Sequence, residues 1–348
     1  MSNRFAHAVK APLVAMFLGF ALMAATAKAD ARSYEVHTLS LPGGSAAGIS
    51  MDYIAYDPAT HTVWVPAGNT GRVDVVDVAT GKVREITGFA TAEMGSGERK
   101  RMAGPSGVTI GAGTVYIGNR GDSSVCAINA HTLARGACHT LDSSPDGLAY
   151  VAATREVWVT TPRDKSVRIL DAVTLAEKAK LTFEGNPEGF AVDAKRHRFY
   201  TNLEDKDRTL AIDLKSHKTV ATWKPECGED GPHGLRLDEQ AGQLFVACSA
   251  RAEVLDVRDG KVLSSADTGD GVDDIDYWPA THELFVGAAK AAELTILHVD
   301  GHGKLTLAAR VPTKPGARNA AVADGGIVYL AHSSREKLSD LLVVSPRK

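Results

Sequence analysis

Short runs of alternating apolar and polar residues follow one another along the chain, and turn residues separate them. Between residues 51 and 88 the runs are Tyr53–Asp57, Thr62–Pro66, Arg72–Asp77 and Lys82–Thr87. Alternation with a period of two is typical of half-buried β-strands. Four short strands at this spacing predict one four-stranded unit, and the same plan recurs toward the end of the chain.

A four-residue segment, Pro-Xaa-Gly-apolar in its clearest form, gives this pattern its period. Its copies begin at Met51, Pro105, Pro145, Pro187, Pro232, Val272 and Ala317. The steps between them are 54, 40, 42, 45, 40 and 45 residues. Repeats of this length with strand-like content predict a β-propeller in which each copy opens the innermost strand of a blade.

The last repeat is one strand short. It offers Asn319–Val322, Ile327–Ala331 and Asp340–Val344, whereas an unassigned strand, Arg32–Leu41, precedes the first repeat. Pairing that strand with the last blade would close the ring and remove open strand edges. We therefore predict an all-β, seven-bladed β-propeller with four-stranded blades and N-terminal closure. Six or eight blades would require one miscounted repeat.

One insertion interrupts the period. Residues Phe89–Gly104 lengthen the first step and include the Gly-rich basic stretch Met94–Arg101. The insertion joins an outer strand to the next inner strand, so it is expected on the same face as the recurring segments. A lid over that face and a surface loop without a role both remain open.

The first 29 residues have the pattern of a secretory signal peptide. A basic start with Arg4 and Lys10 precedes the apolar run Ala11–Ala25, and small residues follow at Ala27 and Ala29. We expect a periplasmic or secreted protein in which residues 30–348 form a single propeller domain. No second long apolar run follows, so no membrane span is expected after cleavage.

Charge and motifs exclude several classes of function. The full sequence has a formal net charge of −3 and no block of Lys and Arg, which makes nucleic acid an unlikely partner. No C-x-x-C-H, Walker, Rossmann, G-x-S-x-G or H-E-x-x-H motif occurs. We expect neither haem nor nucleotide as a cofactor, and we expect a monomer.

The four cysteines lie beyond the signal peptide, where disulfides can form. Cys126 and Cys138 flank a turn almost symmetrically, and Cys227 and Cys248 are expected on one face. We predict the pairs Cys126–Cys138 and Cys227–Cys248. Free buried thiols are the alternative, since four cysteines allow three connectivities.

The second residue of each recurring segment should point toward the central axis of the ring. These residues are Asp52, Ser106, Asp146, Glu188, His233, Asp273 and Arg318. The apolar residues two positions further on are expected to continue the same side of each strand: Ile54, Val108, Leu148, Phe190, Leu235 and Ile275. Asn319 would replace Arg318 if the last repeat were shifted by one residue. Loops on the same face contribute Arg120 and Arg163, which could hold an anionic group.

Clustered carboxylates raise one another's pKa or bind a cation. Asp146, Glu188 and Asp273 are therefore candidate ligands of Ca²⁺ or Mg²⁺, and of Zn²⁺ or Mn²⁺ if His233 takes part. His233 is also a candidate acid or base, with Glu229 or Asp230 placed to fix its tautomer. A hydrated channel whose charges balance without any ligand is the structural alternative.

The pattern resembles the YncE/YVTN-repeat family of secreted seven-bladed β-propellers across the whole mature chain. The segments that carry this resemblance are Val73–Val83 (VDVVDVATGKV), Arg168–Asp171 (RILD) and Thr209–Asp213 (TLAID). The resemblance implies the propeller fold. It leaves function open, because relatives of this fold include binding proteins, metal-dependent lyases and lactonases, and quinoprotein subunits.

Three functions remain open from the sequence. The first is binding of a small molecule, cation or protein partner at an acidic channel mouth, without chemistry. The second is a metal-dependent, lactonase-like hydrolase or lyase that uses the same channel. The third is an accessory subunit of a periplasmic redox enzyme.

Overall fold

A computed structural model describes residues 1, 33–43, 48–97, 100–333 and 340–347. Residues from Arg32 to Lys348 form one compact unit. Apart from Met1, the predicted signal peptide lies outside the described residues and stays a prediction.

The strands follow the predicted order. β1 (Tyr34–Ser40) precedes blade 1, which contains β2 (Ala55–Asp57), β3 (Thr62–Ala67), β4 (Arg72–Asp77) and β5 (Val83–Ile86). The insertion forms a short hairpin of β6 (Ala92–Met94) and β7 (Arg101–Ala103). Blade 2 contains β8 (Pro105–Gly111), β9 (Thr114–Asn119), β10 (Ser124–Asn129) and β11 (Arg135–Thr140). Blade 3 contains β12 (Leu148–Val151), β13 (Glu156–Thr161), β14 (Ser166–Asp171) and β15 (Glu177–Thr182).

The remaining four blades repeat the plan. Blade 4 contains β16 (Pro187–Asp193), β17 (Arg198–Leu203), β18 (Arg208–Asp213) and β19 (Thr219–Trp223). Blade 5 contains β20 (Pro232–Asp238), β21 (Gln243–Cys248), β22 (Arg251–Asp256) and β23 (Val262–Asp267). Blade 6 contains β24 (Val272–Trp278), β25 (Glu283–Ala288), β26 (Glu293–Val299) and β27 (Leu305–Pro312). Blade 7 contains β28 (Ala317–Ala323), β29 (Ile327–His332) and β30 (Asp340–Pro346), with β1 as its fourth strand.

Each blade is an antiparallel sheet, and the ring closes as the sequence predicts. β1 pairs with β30 over its whole length, from Tyr34 opposite Pro346 to Ser40 opposite Asp340. Leu39 and Leu41 pack against the hydrophobic cluster that blades 1 and 7 share. The chain therefore forms a seven-bladed β-propeller whose last blade combines strands from both ends of the chain.

The hydrophobic core lies between neighbouring blades rather than within one sheet. Trp64 of blade 1 packs in one cluster with Ile117 of blade 2, and both side chains are fully buried. Trp158 of blade 3 lies against Phe199 of blade 4, with ring centroids 4.7 Å apart. Burial of such large side chains is the main favourable term that holds adjacent blades together.

The glycine at the third position of the recurring segment permits close approach of the innermost strands. A Cβ atom on Gly107 would overlap the carbonyl oxygen of Asp146 in the next blade. A Cβ atom on Gly189 would likewise overlap the carbonyl oxygen of His233. The repeated glycine is thus explained by packing between blades at the mouth of the channel.

Five of the seven innermost strands carry a β-bulge at the recurring segment, namely β8, β16, β20, β24 and β28. The extra residue changes which side chains face the channel. Leu235 and Ile275 are fully buried between blades, whereas Arg236, the residue after Leu235, lines the channel. The expectation that every apolar fourth residue continues the channel side is therefore wrong at these two positions. Four others do border a channel cavity: Ile54, Val108, Leu148 and Phe190.

Both predicted disulfides are present. Cys126 and Cys138 lie opposite each other on β10 and β11, with Cα atoms 4.0 Å apart. Cys227 is bonded to Cys248 and ties the loop before β20 to the end of β21, with Cα atoms 5.2 Å apart. Such bridges are typical of proteins that fold in an oxidising environment. Within the described ranges, no helix is long and apolar enough to cross a membrane.

Deleting residues 32–41 should lower the melting temperature clearly, because β30 would lose its backbone partners and the cluster around Leu41 would be exposed. Each lost hydrogen bond is worth about 1 kcal/mol. Thermal unfolding of the deletion variant measures the effect. Val36→Ser is the control, since Val36 on the same strand is 40% exposed and should tolerate the change. An unchanged melting temperature after the deletion would contradict the closure.

Gly189→Ala should destabilise the protein by about 1–3 kcal/mol, a typical cost of forcing extra atoms into a well-packed site. The matched control is Gly301→Ala, because a Cβ atom on Gly301 would meet no atom within 4 Å. Equilibrium denaturation should separate the two variants. Equal stability would show that close approach of the inner strands does not determine the third position.

Candidate functional site: a polar cup at the channel mouth

Several second-position side chains of the recurring segments lie close to one another at the starts of the innermost strands. We call this region the cup. Its charged members are Asp52, Asp146, Glu188 and Asp273, which carry carboxylates, and Arg120 and Arg318, which carry guanidinium groups. The innermost strands and the turns beside them supply these side chains, so rigid elements fix their positions.

Arg120 links three blades across the cup. It follows β9, and its Nη2 atom contacts a carboxylate oxygen of both Asp52, at 2.7 Å, and Asp146. Burial disfavours its charge, but Asp52 outweighs that effect and raises the pKa of Arg120. The predicted role of Arg120 as a clamp for an anionic ligand is therefore already taken by two carboxylates of the protein.

Blades 6, 7 and 1 are joined by a second set of contacts. Nη1 of Arg318 lies 2.8 Å from a carboxylate oxygen of Asp273. Asn319, at the bulge of β28, donates from Nδ2 to Asp52 at 3.0 Å and accepts the backbone N–H of Asp274 at 3.0 Å. Because the bulge adds a residue to β28, the side chains of Arg318 and Asn319 both contact neighbouring blades. Asn319 therefore takes part without replacing Arg318 at the second position.

Glu188 differs from the other cup carboxylates. Among the described residues, no hydrogen bond or ion pair to its carboxyl group is found. Burial, followed by the nearby charges of Asp273 and Glu204, raises the pKa of Glu188 well above its ordinary value. The carboxyl of Glu188 is thus kept protonated to a higher pH than an exposed glutamate.

His233 lies beside Glu204 rather than beside Glu229 or Asp230. Its Nδ1 atom is 3.4 Å from Oε1 of Glu204, and its Nε2 atom is 3.2 Å from Oγ of Ser249. The disulfide between Cys227 and Cys248 joins the loop that precedes His233 to the end of β21, next to Ser249. The predicted imidazole is therefore at the mouth, but the residue that orients it comes from the turn after β17.

Ser106 has a buried hydroxyl without a protein partner. The residue is only 5% exposed, and its Oγ atom has no hydrogen-bond partner in the described part of the chain. A buried hydroxyl that lacks a partner costs free energy, so such an atom at a mouth is a natural contact for water or a ligand.

An aromatic pair forms the floor of the cup. Tyr53 of blade 1 and Phe190 of blade 4 meet across the channel, with ring centroids 5.8 Å apart. Tyr53 is 6% exposed. Burial, followed by the charge of the nearby Glu188, raises the pKa of Tyr53 well above its ordinary value. The pair also borders a cavity further along the channel.

The structure does not bring every predicted residue together. Arg163 is exposed, and no contact from it to the cup is found within the described ranges. No group of three or more His, Cys, Asp or Glu side chains in those ranges is arranged to hold a metal ion. The metal ligands Asp146, Glu188 and Asp273 therefore stay a prediction, with two of the three already engaged by arginine.

Sequence reasoning missed several residues of the site, namely Tyr53, Glu204 and Ser249. Tyr53 stands where the clear copies of the segment have glycine, and that departure was the available signal. Glu204 and Ser249 lie in turns after second strands, where acidic and small polar residues are ordinary turn chemistry.

The fold and the mouth define a seven-bladed β-propeller with a polar cup. Virginiamycin B lyase from Staphylococcus aureus is similar over 90% of this chain and 100% of its own, at 12% identity and a TM-score of 0.69. Kuenenia stuttgartiensis hydrazine synthase is similar over 86% and 96%, at 14% identity and a TM-score of 0.70. The RRP9 WD40 repeats are similar over 90% and 97%, at 13% identity and a TM-score of 0.71.

These solved structures share the propeller fold with this chain. At such low sequence identities the similarity shows the fold alone and not a function. No family model and no curated protein matches the sequence.

Glu188→Gln should stabilise the protein at pH 8 and have little effect near pH 4. Above the ordinary pKa of 4.5, the unfolded chain releases the proton that the folded state retains, so the stability of the native protein falls as the pH rises. Glutamine does not ionise and escapes this loss. Melting temperatures across this pH range, with the exposed Glu184→Gln as control, measure the effect. A difference that does not depend on pH would contradict the raised pKa.

Proposed function

We propose that the protein is a binding protein whose cup takes a small, positively charged molecule. One observation carries the proposal. Arg120 is engaged by Asp52 and Asp146, and Arg318 by Asp273, while the carboxyl of Glu188, which lies within electrostatic range of both arginines, forms no ion pair among the described residues. The cup therefore keeps more carboxylates than guanidinium groups, and an added cation would satisfy the one that lacks a partner.

Two further features support a small organic cation. The Tyr53–Phe190 floor presents aromatic rings, which attract ammonium groups at close range. The hydroxyl of Ser106 is buried and has no hydrogen-bond partner among the described residues, so a ligand or water molecule that reached it would satisfy it. The cup is thus polar around its wall and aromatic at its base, as small-molecule sites often are.

Catalysis and metal binding remain alternatives within this proposal. A metal-dependent hydrolase or lyase would use Asp146 and Glu188 as ligands of a divalent cation and His233 as acid or base. Ca²⁺, Mg²⁺, Mn²⁺ and Zn²⁺ are therefore included among the probes. An accessory role in a periplasmic redox enzyme has no specific contact in its favour.

The location and family also belong to the proposal. The two disulfides and the N-terminal sequence pattern support export to the periplasm or beyond. The repeat segments support membership of the YncE/YVTN-repeat family, within the wider class of seven-bladed propellers.

Calorimetric titration with choline, spermidine and the four divalent ions at pH 6 and pH 8 tests the proposal. At least one probe should bind, and it should bind more tightly at pH 8, because a cation favours the ionised form of Glu188 and displaces its proton. Glu188→Gln should weaken binding about tenfold or more and remove the pH dependence.

Glu184→Gln removes one carboxylate from the exposed loop before β16 and is the matched control for general charge. It should bind the same probe within about twofold of the native protein, since exposed charges are strongly screened. Failure of every probe at both pH values, or equal losses in the two variants, would overturn the proposal.

A further inference from the structure

A second cavity lies on the other side of the aromatic floor. Two adjoining spaces of about 300 and 200 Å³ share Thr109, Phe190 and Arg236 in their walls. Tyr53 and Phe190 border the smaller space from the cup side. We call this region the lower chamber.

The lower chamber owes its width to small residues at the fifth position of the recurring segments. Ala55, Ala149 and Ala191 occupy that position in blades 1, 3 and 4, and each borders one of the two spaces. Larger side chains would fill the channel here, as side chains fill the interior of small closed sheets. The other wall atoms come mainly from apolar and aromatic residues, including Tyr150, Val192 and Ile110.

The charged groups at this wall are paired with one another. Arg236 donates to both oxygens of Asp274, at 3.2 and 2.8 Å, and to Asp276 at 3.0 Å. The second oxygen of Asp276 accepts the backbone N–H of Val322 at 2.8 Å. One guanidinium group thus faces two carboxylates, and each of the three has a partner. A neutral occupant leaves these contacts intact, whereas the excess carboxylate disfavours an anion.

Two hydrogen-bond donors nevertheless remain at the wall. The Oγ1 atom of Thr109 accepts the N–H of Tyr150 at 3.1 Å, and no acceptor for its own hydrogen is found among the described residues. Arg236 has five N–H donors, of which four are used, including one to the carbonyl of Leu235. The wall thus offers hydrogen-bond donors that a ligand with an oxygen acceptor could use.

We propose that the lower chamber is a second binding site, for a small neutral aromatic molecule that carries a carbonyl oxygen. The ring lies among Tyr150, Phe190 and the alanines, and the carbonyl accepts from Thr109 and Arg236. Size agrees with this class: an apolar cavity of about 150 Å³ already holds benzene. The site is independent of the cation proposed for the cup.

Acetophenone and ethylbenzene form a matched pair of probes, because they share size and ring and differ in the carbonyl. Acetophenone should bind about three- to tenfold more tightly, the worth of one neutral hydrogen bond. Titration of protein with ¹³C-labelled alanine methyl groups should move the signals of Ala149 and Ala191. No shift of these two signals, or equal affinity for the two probes, would overturn the proposal.

Variants localise the site independently. Val192→Phe should fill the chamber and weaken acetophenone binding at least about tenfold, whereas Val220→Phe, the same change at a half-exposed position on β19, should not. Thr109→Val should remove the preference for acetophenone over ethylbenzene. Glu188→Gln should leave acetophenone binding unchanged, and loss of binding there would place the molecule in the cup and overturn the lower site.

Discussion

The close approach of neighbouring innermost strands is the constraint on which the rest of the structure depends. Gly107 and Gly189 allow the backbone of the next blade to occupy the space that a side chain would take. Where the third residue is not glycine, it contributes to the site instead. Tyr53 extends into the channel, and Asn319 bridges two blades. The third position of the repeat therefore has two roles. Glycine there allows neighbouring blades to pack closely, and a larger residue there contributes a side chain to the site.

The cup is best understood as a partly neutralised ring of acids. Repeat symmetry brings one second-position side chain from each blade to the mouth, and this would concentrate negative charge at a cost in stability. Arg120 lowers that cost by bridging Asp52 and Asp146, and Arg318 lowers it by pairing with Asp273 of the neighbouring blade. Glu188 forms no ion pair among the described residues, and its raised pKa keeps it protonated to a higher pH, which limits the repulsion further.

The sequence predicted the fold, the closure and the disulfides because all three depend on period and spacing. It also led to the expectation that the second-position residues meet at one mouth. It could not predict their pairing, since that depends on the β-bulges, which shift the alternation by one residue within the segment itself. For the same reason Arg236 was missed, and Leu235 was placed on the wrong side of its strand. The role of Glu204 follows from the shape of a turn, which spacing does not reveal.

The Tyr53–Phe190 pair affects how a solute could move along the central channel. A propeller axis is often pictured as a water-filled pore, but here two rings from different blades meet at it, with centroids 5.8 Å apart. A solute that moves from the carboxylate-lined end toward the alanine-lined end must therefore pass two aromatic side chains, so a solute with an apolar face is favoured over a fully hydrated ion along this path.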